Sequence, residues 1–537
     1  MKHSTVKRFS SMPSVLPNSL QLAGNRPVPR DRFRYLRSVP LICLAPVPIW
    51  LLAATLDNEV LASLAACLGL YLGVVWGRAL FRQPALMLGF LKIGGVSLLV
   101  IMSLSWLMAQ FFNLLSLGQS VSTALVMDVG TTLLAYAGAV AYTLVFAAVL
   151  GGLGGLAFIR ALEANAVARL MAARGIRFRK LLWLIGLICV IDAWLILTGV
   201  ISYRTFAIAG FDEGRIPWYL PMLQIVFAAQ VGLNALVIFQ MASGIGRSKI
   251  SMGVLAVSVF LILFVNFTQG RSGFIFCALL HVYWSIFFMG RMPRLSKLVP
   301  VVLIVLPLLY AGTLLNNFMR GDAMQGVDLK TVGFTAYFSS AVKSWQTDNV
   351  LRASEKARSA ENLASRPLVA HPLAKSMALP EARKSFTLGE NLFNSAIWAI
   401  PSVLISDKKR YPIQEDLLYA HFPVGTEDTA DSPYLYAYVD FGYAGVFIYP
   451  VLLAVFWVAF LLLVRLPYIS SLGVLVLACA WIPLFTLSIG EMGMTGWFTM
   501  LRNSVIALPF VIVLNKYFKF PRSAGDPGAI KAARFKP

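Results

Sequence analysis

Two apolar runs, ISMGVLAVSVFLILFVNF (residues 250–267) and FIFCALLHVYWSIFFM (residues 274–289), are joined by the short polar turn TQGRSG (residues 268–273). Each run approaches the ~20 apolar residues that a bilayer-crossing helix needs. Neither alternates apolar with polar residues as a membrane β-strand would. Basic residues flank the pair: Arg247 and Lys249 before it, and Arg291, Arg294 and Lys297 after it. The turn between the runs carries Arg271 alone. Lys and Arg accumulate in cytoplasmic loops, so the pattern reads as a helical hairpin with both ends inside the cell.

The same pattern extends along the chain in both directions. Of its 537 residues, 58% are hydrophobic and 13% are charged, about half the charged fraction of soluble domains. Apolar runs fall at about 41–56, 60–76, 93–112, within 131–159, and at 181–201, 221–242, 250–267, 274–289, 299–315, 443–464, 471–489 and 503–514. With the N-terminus inside, every second loop and both tails are basic and hold almost no carboxylates, Glu163 and Asp526 being exceptions. The expected fold is an all-α polytopic membrane protein of about twelve transmembrane helices. Residues 1–40 form a basic cytoplasmic tail and 41–316 carry spans 1–9. Residues 317–441 form one large external loop containing short helices. Residues 442–515 carry spans 10–12, and 516–537 form a second basic cytoplasmic tail. No signal-peptide pattern precedes the first run.

The formal net charge of +22 would suggest nucleic acid in a soluble protein. Here the positive-inside loops account for it, and no nucleic-acid partner is expected. Cys43, Cys67, Cys189, Cys277 and Cys479 all lie in apolar runs without CxxC spacing, and His3, His281, His371 and His421 form no ligand pair. Neither a disulfide framework nor a metal site is expected, and no cofactor motif is present.

Within the insert, residues 331–366 carry apolar residues at helical spacing and read as an amphipathic helix. Residues 392–404 are apolar but too short to span, which suits a re-entrant or buried segment. Residues 406–433 read as loop.

Few charged residues are candidates for chemistry. Arg271, flanked by Gly270 and Gly273, and Arg320, just past the ninth run, lie at the outer ends of separate spans. Arginine binds phosphate bidentately, so the two suit one shared anion; each is alternatively an interfacial anchor. Lys408, Lys409 and Arg410 form a basic cluster next to a membrane-depth segment, readable as phosphate contacts or as a solvated face. Asp440, just before the tenth run, is a helix cap or a general base. His421, near Glu427, Asp428 and Asp431, supplies either an acid/base group or part of an acidic loop. Asp192 lies in mid-span, where a carboxylate marks proton coupling or a structural pair.

Three places resemble the O-antigen and exopolysaccharide repeat-unit polymerases (Wzy-type). They are Thr268-Gln269-Gly270-Arg271-Ser272-Gly273, Ile397-Trp398-Ala399-Ile400-Pro401 with the following Asp407-Lys408-Lys409, and the aromatic run Ser432–Tyr438 ending in Asp440-Phe441-Gly442-Tyr443-Ala444-Gly445. Ser402 stands where that family often has Arg. The resemblance implies a GT-C-like glycosyltransferase of the bacterial cytoplasmic (inner) membrane with its large loop in the periplasm. It implies transfer of a growing glycan between undecaprenyl-diphosphate-linked oligosaccharides, without a bound metal. A flippase and a chain-length regulator are the partners expected by analogy. On this reading Arg271, Arg320, Lys408, Lys409 and Arg410 face the departing diphosphate, and Asp440 or His421 is the base. An O-antigen-type ligase and a flippase or transporter of lipid-linked sugars are the competing readings.

Overall fold

The computed structural model describes residues 44–82, 129–154, 156–197, 220–269, 271–289, 370–380, 384–401, 404–405, 407–422, 432–487 and 493–518. The expected runs at 93–112 and 299–315, the tail 1–40, Arg320 and the patterned stretch 331–366 lie outside these residues. Among the described residues every regular element is helical. The first eight helices are α1 (Pro46–Leu56), α2 (Glu59–Arg82), α3 (Val129–Gly154), α4 (Ala157–Ala172), α5 (Phe178–Leu197), α6 (Leu220–Ala242), α7 (Lys249–Gln269) and α8 (Arg271–Met289). They are followed by α9 (Ala370–Ala378), α10 (Glu390–Ala399), α11 (Gln414–His421), α12 (Pro433–Phe441), α13 (Gly445–Arg465), α14 (Ser471–Leu487) and α15 (Met494–Phe518).

Among the described residues, five helical stretches are long and apolar enough to cross a membrane, as expected of a helical membrane protein. Their outward faces agree. On α5, Trp183, Leu187, Val190, Trp194 and Leu197 are all exposed and recur at steps of three and four, one stripe of the helix. A continuous apolar stripe facing outward suits lipid and is unfavourable in water. The α3 span, by contrast, is 83% buried against 22% for α7, so α3 is central and α7 peripheral. It packs against α1, α2, α9 and α13.

Several helix starts are written in single residues. The side-chain oxygens of Asn58, Ser248, Ser432 and Ser470 accept hydrogen bonds from Leu61, Ser251, Leu435 and Gly473, three residues on. Each thereby satisfies one backbone N–H that a helix start leaves open.

Helix ends are gathered by long-range bonds. Arg169 of α4 donates to the carbonyls of Val464, Leu466 and Ile469 at 3.0, 3.1 and 3.2 Å, closing the C-terminus of α13. Arg174 donates to the carbonyls of Phe287 and Phe288 at the end of α8 and lies over the Phe239 ring. Burial lowers the Arg174 pKa to about 10, which leaves it charged at neutral pH. Gln240 of α6 donates to the Ile176 carbonyl at 2.7 Å. The final carbonyls of a helix need such donors, and cations there complement the helix dipole. The C-terminal ends of α6, α8 and α13 and the turn after α4 therefore meet at one end of the bundle.

Three expectations are corrected. The basic block after the fourth run is not all loop: residues 157–172 form α4, because Ile159, Leu162, Ala166 and Leu170 give it a buried face. Residues 406–433 contain α11 and a 3₁₀ turn at Lys408–Arg410. The last apolar helix starts at Met494 rather than near residue 503, which places Arg502 within a helix.

Candidate functional site

Helices α9–α12 form a cap at the end of the bundle opposite Arg169 and Arg174. Its centre is α10, a helix of 10 residues. It packs against α11, α12 and α15. This is the stretch read as short and non-spanning; Asn391, Asn394, Ser395 and Ala399 are its buried residues.

Asp440 holds the N-terminal end of α10. It is 0% exposed. Thr387 Oγ1 donates to its Oδ1, and the Tyr449 hydroxyl donates to Oδ2 at 2.6 Å. The backbone N–H groups of Asn391 and Leu392, in the first turn of α10, also bond to the carboxylate. Asn391 Nδ2 donates to the Tyr449 hydroxyl at 3.2 Å, so the network closes on itself. Asp440 thus sits at a helix N-terminus, but that of α10 rather than of the tenth run that follows it in sequence. A carboxylate is favoured there because the open N–H groups and the dipole are positive.

The backbone around Asp440 makes the approach feasible. Thr387 and Leu388 donate their N–H groups to the Val439 and Asp440 carbonyls at 3.1 and 3.0 Å, satisfying the end of α12. Gly442 has φ +58°, a left-handed conformation glycine adopts without strain. At Gly445 a Cβ would lie 1.9 Å from the Ala437 carbonyl oxygen. The Asp-Phe-Gly-x-x-Gly sequence therefore builds the break between α12 and α13 that turns Asp440 toward α10.

Two cations hold the other end of α10. Lys408 is 4% exposed; its Nζ donates to the Trp398 carbonyl at 2.9 Å and lies 5.8 Å from that residue's ring centroid. Arg502 Nη1 donates to the Ala399 carbonyl at 2.8 Å, and its Nε to Asn503 Oδ1 at 3.0 Å. Trp398 Nε1 in turn donates to the Tyr411 carbonyl at 2.9 Å, and Asn394 Nδ2 to that of Pro412 at 3.2 Å. An anion at the N-terminus and cations at the C-terminus both oppose the α10 dipole.

The candidate residues do not all converge. Asp440 and Lys408 hold opposite ends of α10, separated by about 15 Å of helix at 1.5 Å per residue. The Lys408 ammonium points inward to a carbonyl, while Arg410 pairs with Asp407 at the surface, its side chain 80% exposed. Lys409 lies between them in the same turn. His421 is the last residue of α11, and its carbonyl accepts from the Ser385 N–H at 3.4 Å. Arg271 opens α8 directly after α7 ends. Since Arg174 holds the far end of α8, Arg271 lies at the cap end of the bundle.

Thr387, Asn391, Tyr449 and Arg502 were not singled out from sequence. Only Arg502 carries a signal there, as a cation at the edge of an apolar run; the other three are ordinary polar residues whose partners lie far away in the chain.

No family model, no curated protein and no solved structure matches this chain. What the arrangement can do follows from its geometry. The cap is braced internally by charge, with Asp440 at one end of α10 and Lys408 and Arg502 at the other. Among the described residues no group of His, Cys, Asp and Glu could hold a metal ion.

Proposed function

We propose that this protein is a membrane glycosyltransferase that polymerises undecaprenyl-diphosphate-linked oligosaccharide repeat units into a surface polysaccharide, an O-antigen or exopolysaccharide. On this reading the chain has about twelve spans in a GT-C-like arrangement. It lies in the bacterial inner membrane with both termini cytoplasmic and the cap periplasmic. A chain-length regulator and a flippase are its partners.

The observation that carries the reading is the cap of α9–α12 at the bundle end where α8 begins with Arg271. Lipid-linked substrates reach a protein from within the bilayer, so their diphosphates arrive at the membrane boundary. Positive charge placed there stabilises the leaving diphosphate as its charge develops. Arg271 and Arg320 have this role. Arg410, exposed on the cap, is a further contact, with Lys409 beside it. Lys408 acts indirectly, by holding the end of α10. The geometry favours anchoring over base catalysis for Asp440, whose oxygens are already engaged; His421, at the end of α11, is the better candidate for the base. The exposed apolar residues of the cap, Leu388, Phe393 and Leu404, suit the interface next to an isoprenoid chain.

The test is reconstitution of the purified protein with lipid-linked repeat units. A ladder of longer glycans, formed without an ion gradient and lost in Arg271→Ala, supports the reading. Absence of elongation together with gradient-driven movement of the lipid-linked sugar makes the protein a transporter. In a strain lacking the protein, single repeat units mark a polymerase, whereas long chains stranded on the carrier mark a ligase.

A further inference from the structure

The proposed transfer leaves unused a basic surface where α5 and α7 begin. Gln240, near the end of α6, donates to the Ile176 carbonyl just before α5. Arg174, two residues earlier, holds the end of α8. The start of α5 and the α6–α7 turn therefore lie at the end of the bundle away from Arg271 and the cap. Helices α5 and α7 pack against each other, and each is long and apolar enough to cross a membrane.

Four exposed cations stand at this shared start. Arg177 and Arg179 flank Phe178, the first residue of α5; Arg247 and Lys249 flank Ser248, just before and at the start of α7. One close approach brings the two pairs together. A Cβ on Gly246 would lie 2.2 Å from the Phe178 ring, so the ring rests directly on the backbone of the α6–α7 turn, one residue from Arg247. Gly246 has φ +68°, a left-handed conformation that glycine adopts without strain. Arg247 Nε donates to the Met241 carbonyl at 2.8 Å. That bond fixes the guanidinium to the turn and leaves its two NH2 groups without a partner among the described residues. Neither helix has an acidic residue in its first turn. Among the described residues no carboxylate pairs with any of the four cations.

Each cation pair heads an outward apolar face. Arg179 lies one turn before Trp183, so it continues the exposed stripe of α5. Lys249 directly precedes Ile250, from which Met252, Val257 and Phe260 carry the exposed face of α7 onward. Trp183 is 79% exposed and Ile250 76%, although both adjoin charge. Between Met252 and Val257, Gly253 and Ala256 are exposed, and a Cβ on Gly253 would meet no atom within 4 Å. No side chain fills the surface of α7 there.

Cations at the head of two apolar faces complement an amphipathic anion. The arginine fork matches phosphate oxygens, and tryptophan favours the headgroup level of a bilayer. A soluble anion would leave the apolar faces uncovered. A second copy of the chain would cover them, but a two-fold interface sets a patch against itself. Two copies the same way up in a membrane would then oppose like cations.

We propose that the phosphate of an anionic phospholipid binds among Arg177, Arg179, Arg247 and Lys249, with its acyl chains along the outward faces of α5 and α7. The site lies at the membrane boundary opposite the cap and does not depend on the proposed glycan transfer.

Photocrosslinking of the full chain in phosphatidylcholine vesicles tests this. The probes are phosphatidylglycerol and phosphatidylcholine, each with a photoreactive group at the start of one acyl chain, and mass spectrometry locates the adducts. In the wild type, phosphatidylglycerol labels peptides spanning residues 177–187 and 245–257 in preference to phosphatidylcholine, by about fivefold or more. The pair Arg179→Gln and Lys249→Gln removes most of that preference. The pair Arg160→Gln and Arg465→Gln, which removes the same charge from α4 and α13, leaves it in place. Equal labelling of these peptides by the two lipids in the wild type overturns the proposal, and that comparison stands even if a variant fails to fold. Equal loss in both variant pairs also overturns it, since the preference would then be general surface charge. So does protection of these peptides from both lipids together with crosslinking of one copy of the chain to another, which would make the face a self-association surface.

Discussion

Replacing Asp440 with Asn separates an anchor from a general base. The amide keeps one acceptor oxygen and puts an NH2 where the other stood. Either the Thr387 or the Tyr449 hydroxyl then loses its acceptor, and the charge facing the first turn of α10 disappears. A hydrogen bond to a charged group contributes about 1.5–3 kcal/mol, and a charge at a helix N-terminus about 0.3–2 kcal/mol. Removing a buried charge also relieves its desolvation, which offsets part of this loss, so a net destabilisation of about 2–3 kcal/mol is expected. Thermal unfolding in a single detergent, followed by tryptophan fluorescence, reads the change, since Trp398 reports on α10 directly. Tyr449→Phe removes one of several donors and is expected to lose about 1–1.5 kcal/mol. The double variant should lose less than the sum of the two, with a coupling of about 0.5–3 kcal/mol for residues in one network. An Asp440→Asn protein that unfolds like the wild type but no longer makes polymer would refute the anchoring argument and make Asp440 a participant in the chemistry.

Other outcomes follow from neighbouring contacts. Lys408→Met keeps the apolar stem but withdraws the donor from the Trp398 carbonyl, so stability should fall by about 1.5–3 kcal/mol. Lost activity at unchanged stability would instead make Lys408 a substrate contact. Gly445→Ala places a methyl group against the Ala437 carbonyl oxygen. The destabilisation should reach at least the upper end of the ~1–3 kcal/mol typical of overpacking, read as loss of monodisperse protein in size-exclusion chromatography. Arg174→Met leaves the Phe287 and Phe288 carbonyls without their donor and should lower the unfolding midpoint, whereas Arg271→Ala should leave that midpoint in place while abolishing polymer formation.

The helices themselves were largely legible in the chain. The runs read at 221–242 and 250–267 agree with α6 and α7 to within a few residues, because an apolar run in a membrane has no alternative way to satisfy its backbone. Helix α4 was hidden, since Arg160, Glu163 and Arg169 masked an apolar face that repeats at helical spacing. The start of α15 was missed because Arg502 reads as a loop residue until its partner on α10 is known.

Residues 317–441 stand out in sequence as the polar interruption of an apolar chain. Apolar run length determines the helices. That signal is local, so it survives without knowledge of contacts. The roles of single charges do not. Arg502 meets a carbonyl 103 positions away, and Thr387 meets a carboxylate 53 positions away. Only the packed structure turns Asp440, Lys408 and Arg502 inward onto the two ends of α10, because a helix dipole can be opposed only by charges that tertiary packing brings to its ends.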